Sequence, residues 1–327
     1  MGVSGDERED TLRRAKQLYF IPLSDDAVST RLASAGIGIE AGYQELFAAF
    51  IHNLETAHST LSMPYTMAYG AAMNTHWRRF WVAASIRAGD VDPKDPSKVA
   101  EREAGIRKTT SDQLWQFINS PEGQEHLTYD ICNFLLEVMV FGRMPAAVPE
   151  LVQQGTVLVW SALEVLVRDL LELELNRNPR KLADLAADPD ARKRYGLDRI
   201  PLDVILANGL DLSNKMGSIV MKNTDFSDLP GMKLVLGLLF PKSVALRSAL
   251  ADRQLWELYQ RRNLIAHRRG VIDQTYLDKT GEQGKVGSSV EVRPSDLDRY
   301  FECVTQAGLA LLDCCPKRQQ EGQPEAG

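Results

Sequence analysis

The sequence predicts an all-α protein. Apolar residues recur with a helical period along most of the chain, and strand-like alternation is nearly missing. The interruptions are rich in proline, glycine, serine and aspartate. The chain reads as a helical N-terminal domain of unknown role at 1–145, a second helical domain at 146–316 and a disordered tail at 317–327. With 327 residues and 44% hydrophobic content, it is long enough for two cores.

In the first domain the periodicity predicts helices at about 6–20, 25–35, 40–61, 66–88, 111–119 and 124–141. Their breaks are IPLSDD, GIGIEAG, SMPY, AGDVDPKDPSK and NSPEGQ. GRMPAAVPE at 142–150 is the expected boundary, with Pro149 placed to open a long helix over 149–175. Apolar residues surround that helix, which predicts burial on several sides or at a subunit interface. The stretch 176–201 is charged and turn-rich, a surface connection with one short helix. A short apolar helix is expected at 231–239, and a long one from Ser243 to Arg269 ended by Gly270. Residues 285–292 suit a small extended piece. Ser295 and Asp298 form a capping box for a last helix that buries Leu297, Phe301, Val304, Leu309 and Leu312.

Lys and Arg total 38 against 44 Asp and Glu, a net charge of −6. A mildly acidic chain is no general coat for nucleic acid, so any polyanion site must be local. The four cysteines lack a C-x-x-C pair and read as reduced thiols. The charged N-terminus has no apolar signal segment, and the longest apolar run, 157–167, contains Glu164 and is too short for a bilayer. The expectation is a cytoplasmic protein with no membrane association.

The local patch is RRNLIAHRRG. Between 253 and 269 stand Arg253, Arg261, Arg262, Arg268 and Arg269 with one acid, Glu257. On a helix Asn263 and His267 share a face, with Arg262 at its shoulder. Imidazole, guanidinium and amide together suit RNA phosphodiester cleavage without a metal. A histidine moves protons near neutral pH, while an arginine fork and an amide stabilise the charge gathering on phosphorus oxygens. The same residues have a second reading: basic side chains in a helix's last turn meet its dipole favourably.

The motif Arg262–His267, R-N-L-I-A-H, resembles the signature of HEPN domains: arginine, four to six residues, then histidine, with asparagine often following the arginine. The stretch PELVQQGTVLVWSALEVLVRDLLELELNRNP looks like the first family helix, and RRNLIAHRRGVIDQTYL like the second helix and its exit. The likeness covers about 149–312. It implies a helical bundle of HEPN type preceded by the other helical domain. It further implies a metal-independent endoribonuclease for single-stranded RNA, in a defence or toxin–antitoxin setting, working as a homodimer and using no cofactor. Arg262 and His267 would be the catalytic pair and Asn263 the auxiliary. Arg261, Arg268 and Arg269 would bind RNA, and an antitoxin or regulatory protein is an implied partner. The likeness also allows a non-catalytic nucleotide-binding or protein-interaction module.

Ser161, Glu164 and Arg168 form a polar line on the apolar helix. Glu164 either orients Arg262 or His267, or pairs with Arg168 one turn away. His52 and His58 are six apart, poor spacing for one metal, and no metal site is expected. HWRRFW at 76–81 offers Trp77 and Trp81 beside Arg78 and Arg79, either as a stacking surface for bases or as an amphipathic helix. No P-loop, dinucleotide, serine-hydrolase or zincin motif is present.

Overall fold

The computed structural model describes residues 5–22, 27–197, 201–222 and 228–317. Among them every regular element is an α-helix. The β pairing there consists of two isolated bridges, Ile39 with Lys317 and Val271 with Ser289. No described helix is long and apolar enough to cross a membrane. The helices are α1 (Gly5–Leu18), α2 (Ala27–Ala35), α3 (Ala41–Ala88), α4 (Pro96–Asn119), α5 (Pro121–Val138), α6 (Met144–Arg177), α7 (Arg180–Ala187), α8 (Pro189–Tyr195), α9 (Leu202–Ala207), α10 (Met216–Lys222), α11 (Leu229–Leu239), α12 (Val244–Ala251), α13 (Arg253–Arg268), α14 (Gln274–Thr280) and α15 (Pro294–Leu312).

The chain divides into two compact units, neither of them continuous. Unit 1 takes Met1–Pro22, Thr60–Val152 and Arg293–Ser295. Unit 2 takes Leu23–Ser59, Gln153–Val292 and Asp296–Gly327.

Unit 1 is built by α1, the later part of α3, α4, α5 and the start of α6. Its core joins Tyr19, Ala68, Ala72, Leu127, Ile131, Leu135 and Val148. The Tyr19 hydroxyl donates to the Leu135 carbonyl at 3.0 Å, so the buried phenol is satisfied. Two expected helices, 40–61 and 66–88, are one, because α3 continues through Pro64. A proline removes one ladder donor, but buried Leu61, Ser62 and Ala68 on either side hold the helix together. Helix α4 starts well before the expected 111. Asp95 caps it, accepting from the Ser97 and Lys98 amides, and Pro96 fills its first turn. Ser120 and Pro121 open α5 in the same way.

Unit 2 packs α6 at its centre. Trp160, Leu163, Val167, Leu170 and Leu171 are all fully buried, as are Leu255 and Leu258 of α13 and Leu297, Tyr300 and Val304 of α15. Leu309, an expected core residue, is half-buried, and Leu311 lies fully inside. Helix α6 begins at Met144 and passes through Pro149, so it starts inside the expected boundary segment. The expected helix 243–269 is two: Ser243 caps α12, then Asp252 leaves helical geometry (ψ 134°) and accepts from the Gln254 amide, starting α13 afresh. Between 176 and 201 there are two short helices, not one, because Asp188 caps α8 and left-handed Gly196 ends it. At 285–292 the pairing amounts to the single bridge at Ser289, supported by Ile272 N to Ser288 O at 2.9 Å and Val290 N to Gly270 O at 2.8 Å. The tail expected to be disordered lies outside the described residues beyond Lys317.

Candidate active site

Helix α13 buries Leu255, Leu258, Gln260, Leu264 and Ile265 along one side. Ala266, next to them, is exposed. Positions 261 and 262 straddle the buried side, and their guanidinium groups go different ways.

Arg262 is largely buried and turns to α6. Its Nη2 donates to Glu164 Oε2 at 2.9 Å and its Nη1 to Asn263 Oδ1 at 3.0 Å. Its Nε is buried with no partner among the described residues. Of the two roles open to Glu164, the structure shows the carboxylate on Arg262. Arg168 is exposed. Tyr259 lies one turn before Asn263 on α13. The Tyr259 ring lies 5.3 Å from that of Trp160 and 5.6 Å from that of Trp256. Burial first, and then the charge of Asp228, hold the Tyr259 phenol above its ordinary ionisation range. Asn263, Arg194 and Arg262 oppose them.

His267 is exposed, one turn beyond Asn263, and makes no hydrogen bond or ion pair among the described residues. Arg268, 56% exposed at its side chain, reaches Asp273 at 3.1 Å. Arg269 is exposed and left-handed (φ 53°), followed by left-handed Gly270 (φ 75°). A Cβ on Gly270 would stand 3.0 Å from Gln153 Oε1, and Gln153 in turn donates to the Val290 carbonyl at 3.2 Å. The exit from α13 therefore needs glycine for both backbone and space.

Arg261 corrects an expectation. Its side chain is 13% exposed and sits in an acidic and phenolic nest: Asp296 Oδ2 and the Tyr300 hydroxyl at 2.9 Å each, and Glu282 Oε1 at 3.1 Å. The Tyr276 hydroxyl donates to the other Glu282 oxygen at 2.9 Å. Burial works against the charge, but Tyr300, Glu282 and Asp296 outweigh it and raise the guanidinium pKa further. Both its charge and its donors are committed inside unit 2, so it is not placed to bind RNA.

The remaining candidates lie elsewhere. His52 is exposed, and the His58 ring packs 5.9 Å from that of Phe301. His76 is buried, bonded to Asp130 at 2.8 Å and packed on Phe117, while His126 meets Arg8 at 3.2 Å. Trp77 and Trp81 stack on each other at 5.0 Å, half-buried, with Arg78 and Arg79 exposed. No cluster of three or more metal-ligating side chains occurs among the described residues. The residues that sequence reasoning missed are Glu282, Asp296 and Tyr300, which hold Arg261 from distant sequence.

The arrangement provides a cation held by Glu164 and, five residues further along α13, an exposed imidazole. A guanidinium can donate to a phosphoryl oxygen, and an exposed histidine can exchange a proton with a bound group. Comparison of the chain with protein-family models, curated proteins and solved structures yields no match.

Proposed function

We propose that unit 2 is a HEPN-type domain and that the protein is a metal-independent endoribonuclease acting on single-stranded RNA. One observation carries the reading. Glu164 and Asn263 hold the Arg262 guanidinium with its Nε uncommitted, on the helix that presents unpartnered His267 to solvent. His267 takes the proton from a 2′-hydroxyl, which attacks phosphorus. Arg262 stabilises the charge on the equatorial oxygens, and the bond to the 5′-oxygen breaks, leaving a 2′,3′-cyclic phosphate and a 5′-hydroxyl. The leaving oxygen needs a proton of its own. In a homodimer the partner's copy of the same histidine supplies it. Leu158 and Val165, seven apart on α6 and 37% and 41% exposed, form an apolar strip suited to such pairing. Arg268 and Arg269 draw in the RNA backbone. A defence or toxin–antitoxin setting, an antitoxin or regulatory partner and a cytoplasmic site of action follow from the family likeness alone.

The Glu164–Arg262 ion pair also favours a second reading, a non-catalytic module that binds a nucleotide or an acidic partner, since it already neutralises the arginine at rest. The test is incubation of the protein with total RNA in EDTA, beside His267→Ala matched in fold by circular dichroism. Wild type is expected to release fragments with cyclic-phosphate ends, and the variant to lose at least about 100-fold in rate. Equal cleavage by both removes His267 from the centre. No cleavage by either, with RNA affinity that falls in Arg262→Ala but not in His267→Ala, assigns the patch to binding.

A further inference from the structure

We infer that unit 1 carries a binding site for a phosphate monoester of a small hydroxylated molecule, in a cleft lined by α1 and the segment Arg293–Ser295. The inference is independent of the proposed nuclease and of the centre on α13.

An open cleft of about 480 Å³ lies there, and every residue lining it belongs to unit 1. Helix α1 contributes Glu9, Leu12, Arg13, Lys16 and Gln17, which stand three or four apart or adjacent and so share one face. Thr11 and Ala15 are buried on the other side of α1. Arg293 and Ser295 supply the rest of the lining. Arg13, Lys16 and Arg293 are all exposed, and Glu9 is the one acid among the described residues of the cleft. The excess is two positive charges, in a chain whose net charge is −6. Asp10, outside the lining, pairs with Arg13 through one oxygen and lies 3.9 Å from Arg14 through the other. Adding Asp10 and Arg14 to the count leaves the excess unchanged.

A phosphate monoester carries about −1.5 to −2 at pH 7, which matches that excess. Two guanidinium forks and an ammonium suit its tetrahedral oxygens. A free phosphate would leave most of the cleft unfilled, since clefts of roughly 300–1,000 Å³ take organic ligands. The other lining residues define the body of that ligand. Gln17 brings an amide and Ser295 a hydroxyl, both exposed and both able to bond hydroxyl groups. Leu12 is the one apolar side chain among the described residues there, and no aromatic ring joins it to stack on a base. The chemistry fits a phosphorylated sugar or polyol better than a nucleotide.

The test is calorimetric titration of the full chain with ribose 5-phosphate, inorganic phosphate and ribose, at about 0.1 M salt. Ribose 5-phosphate should bind, inorganic phosphate should bind at least about 10-fold more weakly, and ribose should give no signal. Lys16→Met and Arg293→Met should each weaken ribose 5-phosphate about 10- to 100-fold, the loss of a charge-assisted hydrogen bond. Glu9→Gln should tighten it about 2- to 5-fold, because the repelling carboxylate is gone. A gain in binding cannot come from a failure to fold. Arg14→Met removes the same charge next to Arg13 but outside the cleft, and should change affinity less than about 2-fold. No binding of ribose 5-phosphate overturns the site. A loss in Arg14→Met equal to that in Arg293→Met also overturns it, as a diffuse charge effect. Equal affinity for inorganic phosphate overturns the ester. A short single-stranded RNA that displaces ribose 5-phosphate and weakens in the same variants overturns the small ligand and assigns the cleft to nucleic acid.

Discussion

Arg261 and Arg262 are adjacent and chemically identical, yet their surroundings set them opposite tasks. Arg261 meets Asp296, Glu282 and Tyr300 in the interior of unit 2, whereas Arg262 shares Glu164 with no second acid. Removing one member of a buried charge cluster strands the others, so Arg261→Ala should destabilise unit 2 by about 3–5 kcal/mol. Arg268→Ala should change stability by less than about 1 kcal/mol, because the Arg268 side chain is 56% exposed in its pair with Asp273. In salt titrations of RNA binding the order should invert: Arg268→Ala weakens binding and flattens the salt slope, while a folded Arg261 variant such as Arg261→Lys retains both. Chemical denaturation and RNA titration check the two halves. Charge counting along the chain marked the patch and its histidine but could not separate these arginines. Their partners stand at 164, 282, 296 and 300, and one helical position, about 100°, decides which is met.

At the scale of elements, the helical periods were legible and several boundaries were not. Pro64 reads as a break and is not one, because burial on either side outweighs one lost hydrogen bond. Asp252 reads as part of a helix and is a break, because its short carboxylate bonds its own backbone two residues on. Propensity is a weak prior in both cases, and the neighbours that override it come from distant sequence. The exit of α13 was anticipated through Gly270, but the left-handed turn also takes in Arg269. A non-glycine residue there costs about 1 kcal/mol. Arg269→Gly should therefore raise stability by about that amount in urea unfolding, despite the loss of a charge. Gly270→Ala should lower it by more, since its Cβ would crowd Gln153 Oε1 as well as strain the backbone. The polar line on α6 was visible from spacing, and so was Glu164 as its member in need of a partner.

For the whole molecule, composition and period carried the all-α class. The interleaving of the two units was not legible, since no local signal tells that 23–59 and 153–292 share one core. Buried thiols occur in both units. Burial pushes Cys132 up to about 11 and Cys315 up to about 12. The unfolded chain releases these protons at the ordinary thiol value and the folded chain does not. Their contribution is thus complete below that value and is lost as pH rises through the folded values. Stability should fall steadily between about pH 8.5 and 11, and Cys132→Ala should flatten the part of that fall belonging to unit 1. Thermal unfolding across this range reads it directly.

Ribosomes deliver a chain from its N-terminus at about 5–20 residues per second. Tyr43, made early, has its partner in Glu174, and Arg261 has two of its partners in Asp296 and Tyr300. The unit that carries the histidine can therefore close only after α15 has been made. Until α15 has been made, Arg261 lacks Asp296 and Tyr300, and the adjoining stretch from Arg262 to His267 rests on an incomplete foundation. A message cut short before codon 296 would yield a product that retains the whole motif and lacks the scaffold to hold it.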